Sequence, residues 1–178
     1  MTQQLRIVFI YVISKSDTVR KVFMNNKIHF KHWILTDYQL LERARSFHDL
    51  FQLAANIMTR FEGDLHMVSG PISTGGVGTI DGNRRVFEKV IELLATEQKL
   101  NVFSQMPLED KMVELYKQWH SENPREDYCS PILTDFYEPL FSLGRVKVLH
   151  FIRGWQSSVG AKWEHDNCVQ WEIERRYL

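Results

Sequence analysis

The alternation of strand-like and helical runs from residue 64 onward constrains this fold more than any other feature of the sequence. Short apolar runs stand at 65–70, 100–104 and 146–152, and a last short run stands at 173–178. Amphipathic helical runs separate them, which predicts a parallel sheet with helices on both faces. Right-handed crossovers bring every strand-to-helix loop to the carboxyl edge of the sheet, where open α/β sheets bind ligands. We therefore predict a doubly wound, mostly parallel α/β fold.

The helices are predicted from apolar residues that recur every three or four positions. One such face extends from Leu40 to Phe61, with Asp37 as the N-cap and Gly63 as the stop. Asn83 is predicted to cap the next helix. Further helices are predicted at 108–119, 128–142 and 159–171.

Residues 1–62 precede the alternating pattern, and we interpret them as an N-terminal strand and helix extension of an α/β domain at 63–178. The run 5–13 is β-branched and aromatic, which predicts a strand. The predicted 37–61 helix either packs on the sheet of its own chain or forms a dimer seam through its heptad-like face.

Composition excludes several classes of protein. The 22 Lys and Arg equal the 22 Asp and Glu, so the chain has no global basic field of the kind that nucleic-acid binders carry. The apolar run at 7–13 is too short to span a bilayer and lacks the flanks of a secretory signal. Cys129 and Cys168 form neither a metal-type pair nor a disulfide framework. We expect a cytoplasmic protein without nucleic-acid or membrane partners.

The loop after the run at 65–70 reads GPISTGGVGTIDG, beginning at Gly70. Its glycines permit positive φ angles and let a ligand approach the backbone, and the amides at the following helix start can hold an anion. It is not a Walker A loop, because Gly-Lys-Ser/Thr is missing. It is not a GxGxxG loop either, because Gly75, Gly76 and Gly78 have a different spacing. A flexible connection would explain the same composition.

A second unusual loop, 153–158, leads into the segment SVGAKWEHD. Ser158 can cap the last helix, so that its hydroxyl and the amides of Gly160 and Ala161 point outward from one end. Glu164 follows six residues after Ser158 and projects on a similar side. A purely structural explanation is that Glu164 is stabilised by the positive end of the helix dipole and that Trp163 packs in the core. The functional explanation is a phosphate cradle with a carboxylate beside it.

The pattern Ser-Val-Gly-Ala-x-Trp-Glu, from Ser158 to Glu164, resembles the signature of the nucleoside 2-deoxyribosyltransferase-like superfamily. It is most similar to the branch of 2′-deoxynucleoside 5′-phosphate N-hydrolases. In this family a Gly-rich loop follows the first strand, and residues 70–76 take that place here. An aspartate on the helix before the third strand contributes to the family's site, and Asp135 occupies that position. The resemblance covers residues 64–178 and implies a Rossmann-like fold.

The resemblance also implies roles for individual residues. Glu164 resembles the nucleophile that attacks C1′ of the sugar, and Asp135 resembles the carboxylic residue that helps the base to leave. Ser158, with the amides of Gly160 and Ala161, resembles the phosphate cradle. The residues that would shape the floor under sugar and phosphate are Gly70, Ile72, Gly75 and Gly76. The family further implies a homodimer, because a neighbouring subunit often completes the site.

Other side chains are open to two interpretations. Trp155, beside the cradle, stacks on a base or packs against its own domain. Tyr128 and Tyr137, on the helix of Asp135, offer hydroxyls to the substrate or only pack. The family usually has an aromatic residue near the sugar at the end of the first strand, whereas this sequence reads Leu-His-Met-Val at 65–68. His66 or a residue from elsewhere would have to replace it, or the pocket differs. The seven histidines show no ligand-type pairing, and we expect neither a metal nor a cofactor.

The resemblance implies an N-glycosidase that cleaves the base–sugar bond of a nucleoside 5′-monophosphate or nucleoside. One carboxylate bonds to C1′ and a protonated second carboxyl donates to the leaving base, as in retaining glycosidases. That mechanism needs carboxyl groups roughly 5–5.5 Å apart, which we expect for Glu164 and Asp135. The alternatives are a deoxyribosyltransferase, a non-catalytic nucleotide sensor, and a structural module that binds a partner through the 37–61 helix.

Overall fold

The computed structural model describes residues 32–72 and 76–178, and within them a parallel sheet is combined with helices. The sheet has the order β1 (Leu65–Ser69), β2 (Val146–Phe151) and β3 (Glu174–Tyr177). Both pairings are parallel. The predicted α/β class and the parallel sheet are therefore confirmed, together with the strands at these three positions.

The run at 100–104 joins the sheet through a single parallel bridge between Val102 and His66, on the side of β1 away from β2. The amide of His66 donates to the carbonyl of Asn101, and the amide of Phe103 donates to the carbonyl of His66. The predicted full strand is therefore reduced to one bridge. Its direction still brings the segment after Ser104 to the same carboxyl edge as the loops after β1 and β2.

The helices separate these strands in the predicted order. In chain order they are α1 (Leu35–Arg43), α2 (Phe47–Met58), α3 (Ile80–Thr96), α4 (Glu109–Glu122), α5 (Glu138–Ser142) and α6 (Val159–Asn167). A π-helix at Ile132–Tyr137 runs directly into α5, and short 3₁₀ turns stand at Met106–Leu108 and Trp155–Ser157. The last helix ends four residues before its predicted end at 171. Among the described residues, no helix has the length and apolar character needed to cross a membrane.

The predicted single helix at 37–61 is wrong, because the chain breaks between α1 and α2. Ser46 caps α2: its hydroxyl accepts from the amide of Asp49 at 3.1 Å, and the Asp49 carboxylate accepts from the amide of Ser46 at 3.0 Å. Asp37 is not an N-cap but the third residue of α1, where its carboxylate accepts from the amide of Ile34. The apolar spacing continued across the break, so periodicity alone could not detect it.

The start of α3 also differs from the prediction. Thr79 is the N-cap, and its hydroxyl accepts from the amide of Gly82. Asn83 lies buried inside the helix instead, where its side chain bonds to the loop that precedes it. The predicted strand at 5–13 lies outside the described residues.

Two buried apolar clusters are associated with the sheet. Successive side chains of a strand point to opposite faces, and Met67 and Val68 accordingly belong to different clusters. The larger cluster joins β1 and β2 to α1, α2 and the helical segment 132–142. The smaller cluster joins Val68 and Ile152 to the buried face of α3.

An ion pair fixes the start of α1 to the end of α2. Arg60 Nη2 lies 2.9 Å from Asp37 Oδ1, and Arg60 Nη1 bonds to the other carboxylate oxygen and to the carbonyl of His32. The Asp37 side chain is 1% exposed, whereas that of Arg60 is 26% exposed. The pair therefore neutralises a buried carboxylate from the solvent side.

Candidate functional site

The two loops singled out in the sequence meet at the carboxyl edge of the sheet. The amide of Gly76, in the Gly-rich loop after β1, donates to the Ser157 hydroxyl in the loop after β2 at 3.2 Å. The Ser157 hydroxyl in turn donates to the carbonyl of Gly154. The structure thus brings the Gly-rich loop next to the start of α6.

Asn83 holds the Gly-rich loop against α3. Its side-chain amide donates to the carbonyl of Ile72, and its Oδ1 accepts from the amide of Val77 at 2.8 Å. Gly76 has a φ of +64°, and a Cβ at this position would stand 2.2 Å from Asn83 Oδ1. Gly76 is therefore required by the turn itself, whatever the loop binds.

The other proposed floor residues have different surroundings. A Cβ on Gly70 would stand 3.2 Å from Ile152 Cβ and 3.4 Å from a ring carbon of Phe87, so Gly70 permits close packing beneath the loop. Ile72 is half-buried and packs against the cluster on the α3 face of the sheet. Gly75 lies outside the described residues.

The start of α6 has the predicted cap but not the predicted set of available donors. Ser158 is the N-cap and is buried, and its hydroxyl accepts from the amide of Ala161 at 3.3 Å. The Ala161 amide is thereby occupied, which corrects its assignment to a phosphate cradle. The amides of Val159 and Gly160 stand in the first turn, where a helix offers them no acceptor of its own. These two donors, at the positive end of the helix, are the ones suited to an anion.

Glu164 is a buried carboxyl with little to compensate its charge. It is 6% exposed, and burial raises its pKa from 4.5 to about 7. The nearby Ser69 hydroxyl, at the end of β1, partly offsets this rise, although its Oγ has no partner of good hydrogen-bond geometry in the described chain. Helical side chains lean toward the N-terminus, so Glu164 points back toward the carboxyl edge of the sheet.

The second buried carboxyl of this group is Glu109, not Asp135. Glu109 is 7% exposed, and burial raises its pKa to about 7, with Arg84 opposing the rise. Its charge also raises the pKa of Glu164. Asp135 is exposed, and its carboxylate accepts from the hydroxyl of Thr134. The structure therefore does not bring Asp135 into the buried group with Glu164.

Two tyrosines complete the surroundings of Glu164. Tyr137 is buried, and its pKa is raised by burial and by the charges of Glu164 and Glu109. Tyr128 is half-buried, and its pKa is raised by burial and by the charge of Glu164. A Cβ on Gly160 would stand 3.2 Å from the Tyr128 hydroxyl, so Tyr128 lies over the start of α6.

Trp155 packs within its own domain, as one of its two interpretations predicts. Its ring stacks on His165 at a centroid distance of 4.3 Å and an angle of 22°, and it contacts Phe151. His165 Nε2 lies 3.0 Å from the Tyr177 hydroxyl. One face of the indole is therefore covered by an imidazole.

His66 does not lie with Glu164 but bonds to His150 of the neighbouring strand. Among residues 32–72 and 76–178, no group of three or more His, Cys, Asp or Glu side chains is arranged to hold a metal ion.

A cavity of about 560 Å³ lies between α3 and α4. Its lining residues are Ile80, Asp81, Arg84, Asp110, Val113, Glu114 and Lys117.

Sequence reasoning missed Glu109 and Ser69, whereas it considered Tyr128 as a candidate for a hydroxyl contact. Glu109 follows the run at 100–104 by five residues, so the same argument that selects the other two loops at the carboxyl edge could have selected it.

Comparison with protein-family models, with curated proteins and with solved structures found no match for this chain.

Proposed function

We propose that the chain is an N-glycosidase that cleaves the base–sugar bond of nucleoside 5′-monophosphates, with Glu164 as the nucleophile. The supporting observation is a buried, poorly compensated carboxyl, placed among tyrosines behind a helix start at the carboxyl edge of a parallel sheet. Burying a carboxyl without a partner costs stability, which favours a functional reason for its retention. Under this proposal the fold is a doubly wound, Rossmann-like, nucleoside deoxyribosyltransferase-like domain at 63–178, with an extension at 1–62.

The chemistry that this carboxyl supports is a displacement at the anomeric carbon. Cleavage of an N-glycosidic bond passes through an oxocarbenium-like sugar, and the ionised form of Glu164 stabilises that charge and bonds to C1′. Water then attacks the glycosyl-enzyme and releases the sugar phosphate. A buried site strengthens this electrostatic stabilisation because little solvent screens it.

The amides of Val159 and Gly160 favour a phosphate at the other end of the substrate. The helix dipole adds to their hydrogen bonds, and α6 presents them on the same side as the Gly-rich loop. Tyr128 lies over Gly160 and its pKa is raised by the charge of Glu164, which supports a place for Tyr128 beside the substrate. A monophosphate is therefore the favoured substrate class, ahead of the free nucleoside.

Two other functions use the same group of residues. A deoxyribosyltransferase would pass the sugar from Glu164 to a second base instead of to water. A nucleotide sensor would bind the phosphate at α6 while Glu164 only bonds to the sugar. We further propose a cytoplasmic homodimer, in keeping with the family resemblance.

The experiment is a panel of ribo- and deoxyribonucleoside 5′-monophosphates and the matching nucleosides, with free base and sugar phosphate measured by chromatography. We expect base release from at least one monophosphate, faster than from its nucleoside, and a loss of at least about 10³-fold in Glu164→Ala. Glu92→Ala is the matched control, because Glu92 is an exposed helical glutamate on α3.

Each alternative gives a different result in this panel. Base exchange in the presence of a second free base, with little hydrolysis, identifies a transferase. Binding of a monophosphate without turnover in either the wild type or Glu164→Ala identifies a sensor. If the wild type shows no binding and no turnover with any compound of the panel, the proposed function is rejected.

A further inference from the structure

The inner face of α6 holds Glu164 against the carboxyl edge of the sheet. Ala161, Glu164 and Cys168 are buried at helical spacing, and they form the side of the helix that faces the sheet. The ring of His165, next to Glu164, contacts Phe151 at the end of β2 at a centroid distance of 5.4 Å. Because helical side chains lean toward the N-terminus, the Glu164 carboxyl projects toward the ends of the strands.

Ser69 lies at the end of β1, on the face of the sheet that α6 covers. It is the last residue of the strand and is paired with Phe151 in the parallel register. Paired residues of adjacent strands point to the same face, so the Ser69 side chain points to the face of Phe151. The Ser69 carbonyl accepts from the amide of Ile152 at 2.9 Å, which fixes the residue within the sheet.

The Ser69 hydroxyl is buried without a partner of its own. The residue is 1% exposed, and its Oγ has no hydrogen bond of good geometry within the parts of the chain that the structure describes. The carboxyl with which it interacts is that of Glu164, whose pKa it lowers while burial raises it. Leaving a buried hydroxyl unsatisfied costs stability, so its retention beside a buried carboxyl favours a functional reason.

We propose that Ser69 is the positioning residue of the nucleophile: its hydroxyl donates to one carboxylate oxygen of Glu164 and leaves the other oxygen to attack C1′. This inference rests on the proposed function. The hydrogen bond favours the ionised carboxyl in a buried place and fixes its rotation toward the sugar. Ser69 keeps its proton throughout, because the carboxylate oxygen that it contacts becomes the carbonyl oxygen of the glycosyl ester.

The other titratable groups around Glu164 determine how its ionisation is read. Burial raises the pKa of Tyr128, of Tyr137 and of Cys168, the last to about 12, so these three groups stay neutral near pH 7. Glu109 titrates in the same range as Glu164, since burial raises both pKa values to about 7. The signals of the two carboxyls are therefore assigned by their absence from Glu164→Gln and Glu109→Gln.

The test compares three substitutions of Ser69 with a matched control. Ser69→Ala removes the hydroxyl, Ser69→Cys keeps the size of the side chain but donates only weakly, and Ser69→Thr keeps the hydroxyl. Ser104→Ala is the control, because Ser104 is an equally buried serine at the end of the neighbouring 100–104 run. Its Oγ accepts from the amide of Met106 and takes no part in the proposed site.

Two readouts are measured on each variant: a carbon-13 NMR titration of the glutamate carboxyls, and kcat/KM against pH on the monophosphate that the wild type cleaves fastest. We expect Ser69→Ala and Ser69→Cys to raise the pKa of Glu164 by about one. The acid limb of the kcat/KM profile should move to higher pH by the same amount, with a loss of about tenfold or more on that limb. Ser69→Thr and Ser104→Ala should keep the wild-type values.

An unchanged pKa of Glu164 in Ser69→Ala, with an unchanged acid limb, overturns the role of Ser69 while the proposed function stands. A Ser69→Cys that behaves like the wild type also overturns it, because the size of the side chain and not its hydrogen bond is then what matters. This comparison decides the question even if the methyl group of Ser69→Thr prevents folding. A wild type that cleaves no compound of the panel overturns the proposed function and the positioning role together. Circular dichroism and thermal melting confirm that each variant is folded.

Discussion

His66 Nδ1 lies 2.9 Å from His150 Nε2, so two buried imidazoles on adjacent parallel strands share a hydrogen bond in the sheet. Burial lowers the pKa of both rings, and for His150 the pKa falls from 6.5 to about 4. The charge of Arg176 lowers both values further, whereas Glu174 opposes it. The fold therefore favours the neutral form of both rings.

We therefore expect the protein to lose stability on acidification through this pair. Below pH 6.5 an unfolded His150 binds a proton that the folded ring does not bind until the pH falls to about 4, so the free energy of unfolding decreases across this window. His150→Gln should make the decrease smaller by about 1–2 kcal/mol, allowing for partial solvent screening. Urea unfolding of wild type, His150→Gln and the exposed control His120→Gln at several pH values measures the slopes. The same slope in all three proteins contradicts the prediction.

The buried carboxyls act in the opposite direction. The pKa values of Glu164 and Glu109 rise from 4.5 to about 7, so each group is protonated more readily in the folded chain than in the unfolded one. The stability they confer is complete below pH 4.5 and is lost as the pH rises through 7.

At pH 8 we expect Glu164→Gln and Glu109→Gln each to stabilise the fold by about 1–3 kcal/mol, which raises Tm by several degrees. At about pH 4.5, where the wild-type carboxyls are neutral, the gain should vanish. Thermal melting at both pH values, with Glu92→Gln as the exposed control, measures it. A loss of stability of equal size at both pH values would show that these carboxyls are structural.

The sheet could be predicted because the signals for its strands lie within short stretches of the sequence. The runs at 65–70 and 146–152 are apolar enough to be strands in any environment, and their alternation with helices determines a parallel arrangement. The helix start at Ser158 was predicted for a similar reason, because Ser158 and the small residues after it mark a cap. Glu164 was selected through the family resemblance, and its role stays a prediction.

The remaining features depend on contacts between distant residues. Asp135 and Glu109 are both acidic residues near a helix start, and only tertiary packing exposes the first and buries the second. The break at Ser46 lies within an apolar pattern that continues on both sides. The Ser158 hydroxyl caps its helix by accepting from the Ala161 amide. The predicted cap therefore occupies a donor that was also predicted to bind phosphate.

The ion pair between Asp37 and Arg60 should be worth more than a surface pair. Asp37 is fully buried, and Arg60 gives it two hydrogen bonds. Arg60→Met leaves that carboxylate uncompensated, and we expect a loss of about 3–5 kcal/mol in the free energy of unfolding at pH 7. Arg43→Met, an exposed arginine on α1, should cost less than about 0.5 kcal/mol. Denaturant unfolding of both variants measures the difference, and equal losses contradict a role for the pair.

Gly76 and Gly78 allow the geometry of the Gly-rich loop to be tested with a matched pair of variants. Both have positive φ, but a Cβ on Gly76 would collide with Asn83 Oδ1 and Pro71 Cγ, whereas a Cβ on Gly78 would meet nothing within 4 Å. Gly78→Ala therefore incurs only the backbone cost, about 1 kcal/mol. Gly76→Ala must also displace Asn83, which holds the carbonyl of Ile72 and the amide of Val77.

We expect Gly76→Ala to lose about 2–3 kcal/mol more than Gly78→Ala in denaturant unfolding. We also expect it to raise KM for a nucleoside monophosphate, because the Gly76 amide that bonds to Ser157 moves away from the start of α6. The nucleoside lacking the phosphate should show a smaller change in KM. Equal effects of the two alanine variants on stability would mean that the loop accommodates the Cβ without moving Asn83.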